Sequence, residues 1–228
     1  MFEGAAGFSV LYGEVDPAVA LDGLGQEFRF TALTMKKHAS CYCNHAAIEA
    51  ALELVRRHGL GAADVREAAV RITPFMARLV GAPYVPGDNP QVSAQFSVQY
   101  SVASVLRRGR FVVEDILPAA ATDPEVCALA SRVRVEIDDT QDGKFLPATV
   151  RVRTASGAEL GATVTQLPGT PSNPMPESEL LAKALACLGT GVRPMQYDAA
   201  RRFAARIAAV DTVTDMREFL SPTLLEER

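Results

Sequence analysis

The densest group of side chains that could do chemistry lies in residues 36–45, which read Lys-Lys-His-Ala-Ser-Cys-Tyr-Cys-Asn-His. We call this segment the basic loop. It stands directly before a segment with the pattern of a helix, and the free amides and dipole of a helix N-terminus favour negative charge. A lysine beside that terminus would strengthen the preference. The basic loop is therefore predicted to bind a carboxylate-bearing ligand or to carry out acid–base chemistry on it.

Other interpretations of the basic loop stay open on the residues alone. The loop holds four zinc-type ligands: His38, Cys41, Cys43 and His45. So short a Cys-x-Cys segment rarely closes a tetrahedron by itself, so we expect no metal there. Either cysteine could instead act as a nucleophile activated by a histidine. The segment could also be a solvated loop whose cysteines pack beneath it.

Two further segments carry weaker indications. Ser97 and Tyr100 stand three residues apart in a helical pattern, so their side chains share a face. A tyrosine there can donate a hydrogen bond or act as a general acid, although a buried tyrosine with a satisfied hydroxyl is the commoner case. Residues 168–174 hold three prolines and a glycine, and are predicted to form a rigid loop before a helix.

Regular elements must position these segments. Apolar residues at helical spacing predict six helices, with Asn44 capping the first: residues 44–58, 94–108, 124–130, 176–188, 196–210 and 213–220. Alternation predicts four strands, the last two joined as a hairpin: residues 65–72, 132–137, 148–154 and 159–166. This order favours an α+β fold with antiparallel strands and packed helices, because strands and helices do not alternate strictly.

Composition excludes several classes of protein. The chain has 228 residues, 48% of them hydrophobic and 22% charged, which is typical of a soluble globular protein. Its net charge of -4 argues against nucleic-acid binding, and no apolar run approaches the roughly 20 residues of a membrane span. The first residues carry no secretory pattern, and four cysteines do not suggest a disulfide framework. A cytoplasmic, reduced protein is expected.

Four segments occur in an order that is specific when taken together. Residues 44–50 read Asn-His-Ala-Ala-Ile-Glu-Ala, residues 94–100 Ala-Gln-Phe-Ser-Val-Gln-Tyr, residues 169–174 Gly-Thr-Pro-Ser-Asn-Pro and residues 179–183 Glu-Leu-Leu-Ala-Lys. They resemble the carboxyl-terminal part of the MmgE/PrpD superfamily, which includes 2-methylcitrate dehydratase, cis-aconitate decarboxylase and iminodisuccinate epimerase. The corresponding segments there read Thr-His-Ala-Ala-Ile-Asp-Ala, Ala-Lys-Phe-Ser-Leu-Pro-Tyr, Gly-Asp-Pro-Glu-Asn-Pro and Glu-Glu-Leu-x-x-Lys.

The resemblance implies a site between a large helical domain and a smaller α+β lid domain. The substrates would be small di- or tricarboxylates, and no metal or organic cofactor would take part. The residues that match catalytic positions are Lys36, Tyr100 and His45. The residues expected to contact the substrate are Lys37, His38, Cys41 and Ser97. Lysine would bind a carboxylate or stabilise enolate-like charge, tyrosine would donate to a substrate oxygen, and His45 would orient the loop.

The departures from the family pattern define the expected organisation. Lys37-His38-Ala39 replaces a proline-containing stretch, and Ala184 follows Lys183 where the family has phenylalanine. The helical domain, with its acid/base aspartate and histidine, is expected on a partner subunit. Residues 1–30 are predicted to be a remnant of that domain or a linker, residues 31–170 the α+β lid, and residues 171–228 helices that dock on the helical domain, a partner or a second copy.

The predicted function is the lid-domain subunit of a split, metal-independent lyase of the dehydratase or decarboxylase type. Two alternatives remain. The chain could be a non-catalytic interaction subunit of a related enzyme, or a family scaffold recruited to another reaction, such as a cyclisation in a biosynthetic pathway.

Overall fold

A computed structural model of the chain describes residue 4 and residues 7–13, 16–28, 30 and 33–219. The chain divides into two compact units, Met1–Thr34 and Met35–Arg228. The first unit contains the short helices α1 (Phe8–Tyr12) and α2 (Pro17–Leu21), and none of the residues described in either helix is buried. The Asp16 carboxylate caps α2, accepting from the Ala18 amide at 2.8 Å. The predicted division of the chain into residues 1–30, 31–170 and 171–228 stays a prediction.

The second unit holds the remaining described elements. Its helices are α3 (His45–His58), α4 (Pro74–Val80), α5 (Pro90–Gln95), α6 (Val98–Arg108), α7 (Pro118–Ala121), α8 (Pro124–Ala130), α9 (Glu177–Thr190), α10 (Tyr197–Ala208) and α11 (Met216–Phe219). Its strands are β1 (Val65–Ile72), β2 (Val133–Ile137), β3 (Ala148–Thr154) and β4 (Glu159–Val164). The predicted α+β class, with a packed sheet and helices, is confirmed.

The four strands form one mixed sheet in the order β2-β1-β3-β4. β3 runs antiparallel to both of its neighbours, with Val150 paired with Val70 on one side and with Ala162 on the other. The predicted hairpin is β3 and β4. β2 pairs parallel to β1, with Ala68 opposite Val133, so the prediction of antiparallel strands is wrong for this pair. A parallel pair needs a long crossover, and the segment carrying α4 to α8 provides it.

The core lies between one face of the sheet and two helices. α3 packs against β3 and β4, α6 packs against β1 and β2, and the two helices contact each other. α3 presents fully buried alanines, including Ala47 and Ala51, which let its backbone approach the valines of the sheet, such as Val70 and Val150. Each fully buried aliphatic side chain stabilises the fold by about 1.5–3 kcal/mol. This packing fixes the N-terminal end of α3, where the basic loop ends.

A glycine ends α3, and a serine divides the predicted helix over residues 94–108. α3 ends at Gly59, which is left-handed with φ 64°, as a glycine after a helix permits. The predicted helix over residues 94–108 is divided, because Phe96 and Ser97 leave the helical conformation between α5 and α6. Ser97 is extended, and its hydroxyl accepts from the Tyr100 amide at 3.1 Å. The serine cap therefore starts a new helix within an apolar pattern that continues across the break.

Across the described part of the chain, no helix combines the length and the apolar character that crossing a bilayer requires.

Candidate active site

The basic loop is attached at its start to the proline-rich loop of residues 168–174. The Met35 amide donates to the Gly169 carbonyl at 2.8 Å, and the Gly169 amide donates to the Asn173 carbonyl at 2.8 Å. Gly169 has φ +86°, and a Cβ there would lie 2.1 Å from the Met35 carbonyl oxygen. Only glycine tolerates this conformation and this approach together. The proline-rich loop therefore fixes the residue directly before Lys36.

The middle of the basic loop is held by the Gln95 carbonyl. This carbonyl accepts hydrogen bonds from the Ser40 hydroxyl and the Cys41 amide, each at 2.9 Å. The Asn44 side chain also donates to it at 3.0 Å, and to the Ser40 hydroxyl oxygen at 2.6 Å. The Gln95 carbonyl is available because α5 ends there, and the last carbonyls of a helix lack partners within it. The predicted capping of α3 by Asn44 is therefore wrong, since no side-chain cap forms.

His38 and Lys37 are tied to two helices by carboxylates. His38 is 4% exposed, with Nδ1 3.1 Å from the Phe111 carbonyl and Nε2 2.6 Å from Glu49 Oε1. Both partners accept, so both ring nitrogens are placed to donate. Lys37 Nζ lies 3.2 Å from Glu49 in α3 and 3.2 Å from Glu179 in α9. Burial raises the pKa of Glu49, but the hydrogen bond and charge of His38, with Lys37, outweigh it and hold that pKa below its usual value.

His45, at the start of α3, is fully buried and differs from His38. In the described structure neither of its ring nitrogens makes a hydrogen bond of full geometry, although the Ser40 carbonyl acts on the ring and opposes the lowering of its pKa. Its ring lies 4.8 Å from the Tyr42 ring and 5.2 Å from the His38 ring, centroid to centroid. Burial, followed by the charges of His38 and Lys36, lowers the pKa of His45 to about 3. The side chain is therefore a neutral imidazole with free hydrogen-bonding capacity, which is unusual for a buried polar group.

Lys36 is the exposed cation of the basic loop. Its amine donates to the Ser40 carbonyl at 3.2 Å, and it forms no ion pair within the described residues. Its charge contributes to the lowered pKa of His45 and opposes the raised pKa of Cys43, and the Ser40 carbonyl that accepts from its amine also acts on the His45 ring. The Asn44 side-chain oxygen, also fully buried, has no hydrogen-bond partner among the same residues. The N-terminal end of α3 thus holds buried polar atoms without hydrogen-bond partners among the described residues, and a lysine without an ion pair precedes it in the basic loop.

The cysteines of the basic loop do not resemble activated nucleophiles. Cys43 is 1% exposed, and its thiol donates weakly to the Lys144 carbonyl at 3.8 Å. Burial, with Cys41 adding to it, raises the pKa of the Cys43 thiol to about 12, whereas a nucleophilic thiol needs a lowered pKa. Cys41 is half-buried, and its place in the pocket wall stays a prediction. Within the described residues, no three histidine, cysteine or acidic side chains are grouped as a metal site requires.

Tyr100 and Ser97 take part in a second polar cluster. Tyr100 is fully buried; its hydroxyl donates to the Asp115 carbonyl and accepts from Arg108 at 3.3 Å. Burial raises the pKa of Tyr100, although Arg108 acts against it. Ser97 is 4% exposed, and its hydroxyl is used in capping α6. The predicted contacts of both side chains with a substrate stay predictions. In each case a hydrogen bond to the substrate would have to replace one that the hydroxyl already makes within the protein.

The structure therefore brings Lys36 and His45 together at one helix end. Two residues that the sequence interpretation did not assign to the site also shape it, Glu49 through its side chain and Gln95 through its carbonyl. Glu49 could have been identified, because it is a carboxylate one turn after the start of an otherwise alanine-rich helix. No feature of the sequence distinguishes the carbonyl of Gln95 from any other.

Comparison with known families supports the resemblance seen in the sequence. The family model described as MmgE/PrpD C-terminal domain matches residues 38–209 of this chain. That range includes most of the basic loop, all four strands of the sheet and the helices α3 to α10. No curated protein shows significant similarity to the chain. Since the match covers most of its length, the chain belongs to the MmgE/PrpD C-terminal domain family.

Proposed function

We propose that this chain forms the lid side of the active site of a metal-independent lyase that acts on a small carboxylate-bearing substrate. Membership of the MmgE/PrpD family supports the class of enzyme. The observation that carries the proposal is the Ser40 carbonyl, which accepts from the exposed Lys36 amine at 3.2 Å and also acts on the ring of the buried His45 at the start of α3. A cation and a neutral imidazole at a helix N-terminus suit an anionic substrate.

In this proposal Lys36 binds a substrate carboxylate, or stabilises the enolate-like charge that develops next to it. The dipole of α3 adds to the positive potential at the same point. His45 stays neutral near physiological pH, so it can offer a hydrogen bond without competing for the negative charge. It orients the loop, and Cys41 shapes the pocket wall. Lys37 and His38 act through their bonds to Glu49, which hold the loop in position.

The proposal also assigns the rest of the site to another polypeptide. An apolar groove of about 650 Å³ lies between α9 and α10. Its wall includes Leu180, Leu181, Leu188, Phe203 and Ile207. Exposed apolar surface of this kind is common where proteins dock. We propose that a helical domain on a partner subunit covers this groove and supplies the acid/base residues.

A non-catalytic role as an interaction subunit is the second candidate. The observation that favours it is the hydroxyl of Tyr100, which is occupied by Asp115 and Arg108. Tyr100 can act as a proton donor only if a substrate oxygen replaces the Asp115 carbonyl. The two candidates differ in one respect: a catalytic lid needs Lys36, and an interaction subunit does not.

The test is to co-express the chain with a candidate helical subunit encoded next to it, and to assay the purified complex with citrate-like di- and tricarboxylates. We expect Lys36→Met to lower kcat by about 10²-fold or more, the effect of removing one group that stabilises developing charge. Lys144→Met, which removes an exposed lysine outside the basic loop, is the matched control and should keep full turnover. Equal turnover in both variants, in a complex that forms normally, would show that the chain is an interaction subunit.

A further inference from the structure

A second cavity lies beside the basic loop, and Lys37 and His38 of that loop form part of its wall. It has a volume of about 280 Å³ and is enclosed by α9, residues 37–39 and the segment that follows α6. Apolar side chains make up much of its wall: Leu52, Phe111, Val112, Val113, Met175 and Ala186. Neither Lys36 nor His45 belongs to this wall. The cavity is therefore distinct from the group of side chains at the start of α3.

The charged side chains of this wall differ in whether they have an ion-pair partner. Lys37 is paired with Glu49 and with Glu179, the latter being a carboxylate of the wall itself. Arg110 lies 3.7 Å from Asp115, measured from Nε to Oδ2. Lys183, half-buried in α9, has no ion pair or hydrogen bond within the described residues.

The ammonium of Lys183 has no partner among the described residues, so a bound anion can pair with it without displacing an existing contact. The other basic side chains of the wall, those of Lys37, His38 and Arg110, already have carboxylate partners. A di- or tricarboxylate would therefore find no unoccupied cation in the wall for its second charge, and the rest of the wall is largely apolar. The wall therefore selects for a single negative charge joined to an apolar group.

We propose that this cavity binds a small monocarboxylate with an apolar tail, whose carboxylate pairs with Lys183. A volume of about 280 Å³ is near the lower limit of ligand pockets, which suits a straight chain of about six to eight carbon atoms. The site is independent of the lyase chemistry, because it takes a different class of acid at different residues. Its occupant would touch both α9 and the basic loop, which the Lys37–Glu179 ion pair already joins.

The test uses the purified chain, hexanoate as the probe, and hexanol as the matched neutral compound, with binding measured by calorimetry. We expect saturable binding of hexanoate and weaker binding of hexanol. Lys183→Met should weaken hexanoate binding by about tenfold or more, the value of a hydrogen bond to a charged group, and leave hexanol binding unchanged. Ala186→Phe should fill the cavity and remove the binding of both compounds. Lys144→Met, outside the cavity, should bind hexanoate as the unchanged chain does.

Circular dichroism and thermal unfolding would verify that each variant is folded. Absence of saturable hexanoate binding to the unchanged chain would overturn the proposal. Equal binding of hexanoate by the unchanged chain, Lys183→Met and Ala186→Phe would overturn it as well. Because the measurement needs neither a partner subunit nor turnover, it succeeds or fails independently of the proposed lyase.

Discussion

Two clusters of buried polar side chains lie on either side of the break between α5 and α6, and they differ in how completely they are bonded. In the Tyr100 cluster the hydroxyl of Tyr100, the guanidinium of Arg108 and the backbone around Asp115 bond to one another. At the end of the basic loop, both nitrogens of His45 and the side-chain oxygen of Asn44 lack partners within the described residues. Both clusters are buried, so burial alone does not distinguish them.

The difference shows which cluster is built for stability and which for binding. A saturated buried network makes one conformation rigid and has no capacity left for a ligand. An unsaturated one costs free energy in the isolated chain, and a ligand or partner can recover that cost. We therefore propose that the Tyr100 cluster belongs to the scaffold and the end of the basic loop to the site. Three experiments test this assignment.

The largest effect is expected from Arg108→Met in the Tyr100 cluster. Arg108 donates to the Ser104 hydroxyl at 2.9 Å and to Asp123 at 3.1 Å, and it lies 3.8 Å from the 3% exposed side chain of Asp115. Removing it leaves buried acceptors and a buried carboxylate poorly compensated, so the free energy of unfolding should fall by about 3 kcal/mol. Urea unfolding followed by circular dichroism measures this change.

The neighbouring Arg107→Met is the matched control. Arg107 pairs with Glu125 on the surface, where the two side chains are 43% and 68% exposed. An exposed pair of this kind contributes at most about 1 kcal/mol. If both variants lose the same stability, the Tyr100 cluster is no more important to the scaffold than the surface, and the comparison fails.

An intermediate effect is expected from the pH dependence that His45 imposes. Its pKa in the fold is about 3 and the ordinary value is 6.5, so below pH 6.5 the unfolded chain takes up a proton that the folded chain does not. Stability from this group is therefore complete above pH 6.5 and is lost as the pH falls toward 3. Between pH 6.5 and 4.5 the loss should be about 2 kcal/mol.

The measurement is the difference in unfolding free energy between the unchanged chain and His45→Leu across that pH range. His45→Leu should lose less stability on acidification, by the stated amount. His58→Gln, at the exposed other end of α3, provides the control for removing a histidine without this burial. Parallel pH profiles for the unchanged chain and His45→Leu would mean that His45 is not held neutral in the fold.

The sequence predicted the elements whose patterns are local. α3, β1 and the β3–β4 hairpin are confirmed, because period and turn residues within a short stretch determine them. The parallel pairing of β1 with β2 is a long-range contact that neither strand encodes alone. The break at Ser97 escaped prediction for a different reason. Apolar residues continue across it, and only the serine cap marks the new start.

The sequence indicated which residue types form the candidate site, but not which groups form hydrogen bonds with them. The order of lysine, histidine and cysteine in the basic loop predicted a candidate site there, and the Ser40 carbonyl within that loop accepts from Lys36 and acts on the ring of His45. The acceptors that hold the loop are the backbone carbonyls of Gln95 and Phe111. Every residue has such a carbonyl, so the sequence cannot indicate which ones are free. Only the end of α5 and the course of the chain after α6 make these two available.

The smallest effect is expected from Ser97→Ala, which tests whether Ser97 belongs to the scaffold. Its hydroxyl accepts from the Tyr100 amide, and loss of a serine cap typically costs about 1 kcal/mol. Ser97→Gly should cost only a few tenths of a kcal/mol, about the value for glycine at a cap. Both values come from denaturant midpoints. A substrate-binding serine would give another result: both variants would weaken ligand binding equally in the assembled complex, whatever their stability. If Ser97→Ala is less stable than Ser97→Gly and both variants keep the ligand affinity of the unchanged chain, Ser97 acts as a helix cap and belongs to the scaffold.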